Sequence, residues 1–462
     1  MSESRSSNRL AGLLGLVAVA FQASATPQNW DIRLVCRSSL DPNIPAFRLP
    51  QFSSLSSQYV SLDEQGRVAI RVLLAVPGAS EGVFVGDADG GGVVVTANQP
   101  GEPFWSTDLD FRNGRFVIMD GNLGPGGATV YDTAGDLVQR YNLGAFGVDS
   151  SVSIADDGAI SYRGVFGADQ KAVVIDEFVG GTRVQTVALS TAVPGDDVSF
   201  IFSPAMNASR QFVVNTIPNT GPSRRIRVLE PDGGGGYTSW TVAETAGVFS
   251  AFVNSTAIAP DGRVAFTGRR TIDSLWQVSR VDAQGAPVVP IADGDDMGIV
   301  NGNLANFPPV VNSNGLVAFR VEDDAGSTAL YAGDGADLVR IIGLGDTVTT
   351  DLGELALGFD FGGFDGVQVM NGVVDINDSD QIAFAAFLEN GTVGVFIASP
   401  AAVGCNPADI AEPFGVLDLG DLQAFVAAFT SGDPLADIAE PLGVLDLADV
   451  QLFITALTGG CP

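Results

Sequence analysis

Ile258-Ala259-Pro260-Asp261-Gly262-Arg263-Val264-Ala265-Phe266 is a polar turn followed by a strand whose residues alternate in size. Asp-Gly reverses the chain because both residues accept positive φ. Val-Ala-Phe then presents successive side chains to opposite faces of a sheet. This alternation is expected to bury one face and leave the other half covered, with the small Ala allowing close sheet-on-sheet approach. The phrase recurs along the chain. Earlier copies are Ser61-Leu62-Asp63-Glu64-Gln65-Gly66-Arg67-Val68-Ala69-Ile70, Phe111-Arg112-Asn113-Gly114-Arg115-Phe116-Val117-Ile118 and Ile154-Ala155-Asp156-Asp157-Gly158-Ala159-Ile160-Ser161-Tyr162. A weaker one is Met206-Asn207-Ala208-Ser209-Arg210-Gln211-Phe212-Val213-Val214. Later copies are Val311-Asn312-Ser313-Asn314-Gly315-Leu316-Val317-Ala318-Phe319 and Ile376-Asn377-Asp378-Ser379-Asp380-Gln381-Ile382-Ala383-Phe384.

Seven copies, spaced 48, 44, 51, 53, 53 and 65 residues apart at the turn, are too far apart for single hairpins. A second apolar strand follows most of them, as in Gly82-Val83-Phe84-Val85-Gly86, Ala329-Leu330-Tyr331-Ala332-Gly333 and Gly394-Val395-Phe396-Ile397-Ala398. Phe52, Phe104, Phe146, Phe200, Phe252, Phe307 and Phe364 lead into the copies. Four strands at a period near fifty residues mark a propeller blade. The spacing therefore predicts a mainly β chain with a seven-bladed β-propeller over residues 47–400. Residues 26–46 form an N-terminal segment, whose Trp30 to Cys36 strand is placed to pair into the last blade and close the circle. A parallel β-solenoid is the competing repeat fold, but it needs shorter and more uniform periods. The 259–266 phrase also resembles the repeats of TolB-type propellers.

Composition narrows the function classes. The chain has 462 residues, no histidine and a formal charge of -31. One lysine, Lys171, stands against 22 arginines, and 57 glycines suit a β protein with many tight turns. The absence of histidine removes Ser-His-Asp and Cys-His nucleophile systems, His-ligated zinc and any imidazole base. The acidic surface disfavours nucleic acid and anionic membranes as partners. Arg5 and Arg9 precede an unbroken apolar run from Leu10 to Phe21, and Ala23-Ser24-Ala25 supplies a small-x-small cleavage site. Residues 1–25 thus read as a signal peptide, too short to span a bilayer. Its removal takes away Glu3, Arg5 and Arg9, leaving a mature charge of about -32. The chain is expected to be exported and extracellular or associated with the cell surface. Cys36 is expected to be a free thiol buried in a strand.

The last 58 residues contain one sentence twice, 28 positions apart. Ala408-Asp409-Ile410-Ala411-Glu412-Pro413 runs through Gly415-Val416-Leu417-Asp418-Leu419 to Asp421. It returns as Ala436-Asp437-Ile438-Ala439-Glu440-Pro441 through Gly443-Val444-Leu445-Asp446-Leu447 to Asp449. Leu422, Phe425, Val426 and Phe429, and then Val450, Phe453, Ile454 and Leu457, fall at the spacing of one helical face. Asp421 and Asp449 are placed as N-caps. Neither helix can bury its stripe alone, so the two copies should pack about a pseudo-twofold axis. This duplicated acidic loop and helix, opened by Gly404-Cys405, resembles a GC-type dockerin. The resemblance implies a small all-α module over 405–462, after a linker at 401–404, that docks to a cohesin-like or envelope protein.

A dockerin loop is the first half of an EF-hand with oxygen ligands. The resemblance puts Asp409 and Asp437 at the first ligand position, Asp418 and Asp446 at the ninth, and Asp421 and Asp449 at the twelfth. Gly415 and Gly443 match the turn glycine. Each loop is one residue longer than the EF-hand pattern, and Pro413-Phe414 and Pro441-Leu442 replace the usual Asp-Gly centre. Glu412 and Glu440, at the extra position, are candidates for the lost carboxylate. Weak calcium binding is the expectation, against a metal-free helical hairpin. Nine acidic residues with no Lys or Arg need cations or a covalent clasp to offset repulsion. Cys405 and Cys461 end the module and are placed to bond, which would stabilise it by about 4 kcal/mol.

Other motifs have plainer readings. Asp375-Ile376-Asn377-Asp378-Ser379-Asp380 has calcium-loop spacing but occupies a hairpin position. Asp293-Gly294-Asp295-Asp296 reads as an exposed acidic turn, and Gly86-Asp87-Ala88-Asp89-Gly90-Gly91-Gly92 as a mobile loop. Trp30, Trp105, Trp240 and Trp276 read as core rather than sugar platforms. The expected function is that of a secreted propeller binding a glycan or an exported protein. The alternative is a polysaccharide lyase or glycoside hydrolase using carboxylates and tyrosine. Mass mapping without reduction should find Cys405 bonded to Cys461 and Cys36 free. A Cys36 bridge to either would overturn the clasp.

Overall fold

The computed structural model describes residues 30–76, 79–96, 105–120, 127–142, 147–167, 170–296, 307–322, 328–360, 367–401, 406–411, 416–439 and 444–460. Residues 1–29, which include the expected signal peptide, and Cys405, Glu412, Glu440 and Cys461 lie outside these residues.

Seven antiparallel sheets follow one another along the chain. Blade 1 is Ser54–Leu62, Val68–Val76, Ala79–Gly86 and Gly92–Thr96, paired in that order. Blade 2 runs Trp105–Arg112, Arg115–Asp120, Gly127–Asp132 and Leu137–Asn142, and blade 3 Gly147–Ile154, Ile160–Phe166, Gln170–Val179 and Thr182–Ser190. In blade 4 the first strand is split into Phe200–Ile201 and Ala205–Met206, followed by Phe212–Ile217, Arg225–Pro231 and Tyr237–Glu244. Blade 5 likewise splits its first strand into Phe249–Phe252 and Ala257–Ile258, before Val264–Arg270, Trp276–Val281 and Val289–Asp293. Blade 6 is Val310–Val311, Val317–Glu322, Thr328–Gly333 and Leu338–Gly343. Blade 7 contains Asp375–Ile376, Ile382–Phe387 and Val393–Pro400, and takes its outermost strand from Trp30–Ser38. The first strands contact one another in sequence from blade to blade, and that of blade 7 returns to blade 1. The chain is therefore a closed seven-bladed β-propeller.

Seven apolar clusters lie between consecutive blades. Phe116, Ile118 and Leu109 meet Ala69, Val83 and Val85 between blades 1 and 2. Val264 and Phe266 meet Val213 and Val228 between blades 4 and 5, whereas Ala265 joins the cluster between blades 5 and 6. Ala318 and Ala383 repeat this pattern, facing the following blade while their large neighbours face the preceding one. Both faces of the second strand are thus buried: Val264, Ala265 and Phe266 are all at 0% exposure. The half-covered face expected from alternation does not exist, because each blade is sandwiched between two others.

The turns explain the repeat. In all seven a residue adopts positive φ: Gly66, Gly114, Gly158, Arg210, Gly262, Gly315 and Asp380. In blade 4 this is Arg210, one residue beyond the Ser209 picked from sequence. Asn side chains then tie turn to turn. Asn207 accepts from Ser209 and Gln211 N–H within its own turn and donates to the Ala259 carbonyl of the next blade at 2.9 Å. Asn312 donates in the same way to Asn377, and Asn377 to Asp63.

The longest interval in the repeat, before blade 7, holds two extra hairpins: Thr347–Thr350 with Gly353–Ala356, and Phe359–Asp360 with Val367–Gln368. The first supplies Asp351, which makes a two-pronged pair with Arg37 of the closing strand at 2.9 and 2.8 Å. Arg37 is fully buried and also donates to the Pro45 carbonyl. Next to it in the strand, Cys36 is a free thiol at 0% exposure, and burial pushes its ionisation well up. Among the described residues no helix is long and apolar enough to cross a membrane.

The C-terminal segment forms two helices, α1 (Leu419–Ser431) and α2 (Leu447–Gly459). Phe425 and Phe453, equivalent in the two copies, stack at 4.0 Å over buried Ala408 and Ala436. Leu422 and Val426 do not join this core; with Leu419, Leu447 and Ile454 they are exposed. The helix starts also differ from expectation. Asp418 and Asp446 are the N-caps, and Asp421 and Asp449 are the third helical residues closing a capping box.

Removing one partner of a buried pair strands a charge in low dielectric, at a cost of about 3 kcal/mol. Asp351→Ala should therefore lower the melting temperature more than Arg37→Met, and the double substitution should recover part of the Asp351→Ala loss. Equal losses for the two single changes would show that the pair does not secure the closing strand.

Candidate functional site

The innermost strands end at one register. Leu62, Phe111, Ile154, Met206, Ile258, Val311 and Ile376 each pair with the first residue or residues of the second strand. The residues one step earlier form a ring of seven around the axis: Ser61, Asp110, Ser153, Ala205, Ala257, Val310 and Asp375. Two residues earlier again lies a second ring, of Tyr59, Asp108, Ser151, Ser203, Ser255, Pro308 and Val373. Both rings line a central cavity of about 260 Å³. In the two rings the carboxylates are grouped, while hydroxyls continue around the other blades except blade 6. The carboxylates belong to blades 7 and 2 and flank the Tyr59 and Ser61 hydroxyls of blade 1, the serines follow on blades 3 to 5, and blade 6 offers Pro308 and Val310.

The acidic wall is built across three blades. The Ser61 hydroxyl lies 3.4 Å from Asp110 Oδ1 and 3.2 Å from Asp375 Oδ2, and accepts the Phe111 N–H at 3.0 Å. Asp375 Oδ2 also accepts the Leu62 N–H at 2.8 Å, and Asp110 Oδ2 the Ile154 N–H at 2.8 Å. Asp108 accepts the Ser151 N–H at 2.6 Å. Burial pushes the Asp375 carboxyl up to about 7; the Leu62 N–H opposes this and the Asp110 charge adds to it. Burial likewise raises Asp108, against the Ser151 N–H and the Tyr59 hydroxyl. Tyr59 is pushed up to about 12 by burial and by Asp108.

One carboxyl poised near neutrality beside another carboxylate is a competent acid–base pair. Arg112, at the turn end of the cavity, offsets part of the negative charge at Asp375, and Arg163 part of that at Asp108. Such a channel favours neutral or cationic ligands over anions.

Of these channel residues only Asp375 stood out in the sequence, as the start of a calcium-like spacing; the others did not, because each lies at or before the start of its copy of the phrase. Aligning the seven copies and comparing the residue just before the aliphatic one that precedes each turn would have exposed the column. The motifs that did stand out have other roles. Asp375–Asp380 ends an innermost strand in a hairpin turn, with Asn377 N–H bonded to the Gln381 carbonyl. Asp293 is not an exposed turn residue: it is 9% exposed and paired with Arg270 at 2.6 Å. Asp87 holds its loop by accepting the N–H groups of Asp89, Gly90 and Gly91. Trp30, Trp240 and Trp276 are half-buried and packed on the inter-blade clusters.

In the C-terminal module the acidic residues are committed to the backbone. Asp421 Oδ1 accepts from Ile410 and Ala411, and Oδ2 from Asp418, at 2.8 to 2.9 Å. Asp449 does the same with Ile438, Ala439 and Asp446. Burial works to raise Asp421, but its three N–H donors outweigh it and hold the carboxyl below the usual range. The donors hold Asp449 down too, against burial. Asp418 and Asp446 bond the N–H groups of Gly420 and Ala448 at 2.6 Å. Asp409 is buried and Asp437 half-buried beneath the helix starts. Among the described residues no three Asp, Glu or Cys side chains form a group that could hold a metal ion. A cation at these loops must compete with N–H donors already in place.

A carboxyl whose folded-state pKa is raised stabilises less as pH climbs from its unfolded value, about 4, through its folded one. Asp375→Asn removes that dependence. Its melting temperature should match the wild type near pH 5 and exceed it by a few degrees near pH 8. A variant that melts in parallel with the wild type across this range would place the Asp375 proton elsewhere.

No family model matches the chain, and no curated protein does so. Among solved structures it is similar to the β-propeller domain of the Trilobed protease from Pyrococcus furiosus, at 13% identity over 76% of this chain and 96% of that one, with a TM-score of 0.47. It is also similar to the acylaminoacyl peptidase of Pyrococcus horikoshii, at 14% identity over 73% and 49%, TM-score 0.44. The polysaccharide lyase Uly1 aligns at 7% identity over 79% and 97%, TM-score 0.44. The seven blades described above stand on this chain's own strand pairing.

Proposed function

We propose that this chain is an exported propeller that binds a ligand at its central channel and is held in place by its C-terminal module. The mixed polar and apolar lining of the channel carries this reading. Hydroxyls and carboxylates from six blades, interrupted at blade 6 by Pro308 and Val310, offer hydrogen-bond acceptors and an apolar face together, which suits a neutral glycan or a segment of an exported protein. The second reading, a carboxylate-dependent glycoside hydrolase or lyase, is favoured by Asp110 and Asp375 sharing Ser61. Binding of a glycan panel to the full chain, scored for affinity and for cleaved product, separates the two. Asp110→Asn should weaken binding without any product in the first case and abolish product in the second.

The module docks to a cohesin-like or envelope protein through its duplicated helices, whose exposed Leu419, Leu422, Val426, Leu447 and Ile454 lie outside its own core. Any calcium is held weakly by Asp409, Asp418 and Asp421 and by Asp437, Asp446 and Asp449, with Glu412 and Glu440 as further candidates; the ion would add charge balance. Affinity is expected to be about millimolar at best. The capping boxes keep α1 and α2 formed without it, so chelator should leave the helical circular dichroism of the full chain unchanged. Calorimetric binding much tighter than that, or loss of helix in chelator, would make the loops working EF-hands.

A further inference from the structure

Where turn side chains tie neighbouring blades, the junction between blades 7 and 1, like that between blades 6 and 7, has ties that end on carboxyl groups. Blades 4 and 5 are instead joined by a neutral amide, Asn207 to the Ala259 carbonyl at 2.9 Å. Blades 7 and 1 share one such amide, from Asn377 to the Asp63 carbonyl at 3.1 Å. Further ties end on carboxyl groups: Leu62 N–H on Asp375 at 2.8 Å, the Ser61 hydroxyl beside Asp375 at 3.2 Å, and Asp378 N–H on Glu64 at 2.9 Å. This is also the junction that the chain's two ends complete, since blade 7 holds the Trp30–Ser38 strand.

Hydrogen counting around Ser61 sets the condition for a satisfied network. The Ser61 oxygen already accepts the Phe111 N–H, and its single proton faces both Asp110 and Asp375. One hydroxyl hydrogen cannot serve two carboxylates. A proton on Asp375 closes the gap: Asp375 donates to Ser61, Ser61 donates to Asp110, and Asp375 still accepts from Leu62. Without that proton two like charges face each other across one hydroxyl. Arg112 of blade 2 is the cation that reaches both Asp375 and Glu64, while Asp63 and Asp378 add negative charge around Glu64. Asp63 is itself bound to Arg67 at 2.6 Å.

We propose that the junction between blades 7 and 1 is a proton-operated latch, closed while Asp375 carries its proton and loosened when the proton leaves. The raised ionisation of Asp375, pushed up to about 7 first by burial, places the change near neutral pH, and burial raises Glu64 in the same direction. Loosening is local, because the amide tie between blades 4 and 5 carries no titrating group. The inference does not depend on the ligand of the channel.

Hydrogen exchange on the full chain tests it, with rates corrected for the intrinsic pH dependence. Between about pH 5.5 and about pH 8.5 the innermost strand of blade 1, Ser54–Leu62, should lose about tenfold in protection relative to the Phe212–Ile217 strand of blade 4. Asp375→Asn removes the ionisation and Asp110→Asn removes the opposing charge, so each should abolish the relative loss. Constant relative protection in the wild type would overturn the latch, even if neither variant folds. A loss that persists in either variant would also overturn it.

Discussion

Each blade of this propeller is apolar on both faces, and everything else in the architecture follows from that. A sheet with one buried face can end a stack; a sheet with two cannot. Val264 and Phe266 need blade 4 while Ala265 needs blade 6, and the same holds around the circle. A ring is the arrangement in which no blade is terminal. Its completion depends on pairing Trp30–Ser38 with Val393–Pro400, secured by the buried Arg37 and its partner Asp351.

The ring was legible in the sequence because its repeated element is tightly constrained. A two-strand reversal demands a residue at positive φ, and five of the seven turns use glycine for it. Blade 4 was the weakest copy because Arg210 takes that conformation instead, and its phrase slipped by one residue. The interval before blade 7 was long because two hairpins are inserted there, one of which supplies Asp351. A second reading failed for a physical reason: alternation along a strand cannot distinguish a face against solvent from a face against the next blade.

The channel was not legible by the same means. Seven positions converge on the axis, yet they lie about fifty residues apart and carry Ser, Asp, Ser, Ala, Ala, Val and Asp in turn. No local pattern links Asp110 to Asp375, and only the closed ring brings both to Ser61. In the C-terminal module the duplication and apolar spacing gave two packed helices: Phe425, Phe429, Val450, Phe453 and Leu457 pack as expected, whereas Leu422, Val426 and Ile454 stay exposed. The helix starts moved for a local reason. An Asp three residues into a helix reaches back to the chain before it, so Asp421 joins Ile410, Ala411 and Asp418 in one knot.

The closing strand has a consequence for how the molecule comes into being. Trp30–Ser38 is among the first parts of the chain to be synthesised and is among the last to find its partner, because Val393–Pro400 lies at the other end of the ring. Until then it is an unpaired edge, and the apolar faces of blades 1 and 7 lack their mutual cover. Pairing at such sequence separation is slow, and unpaired edges invite association between chains. Closure of this ring consequently waits until Val393–Pro400 has been made, and its most vulnerable moment is the interval before its two ends meet.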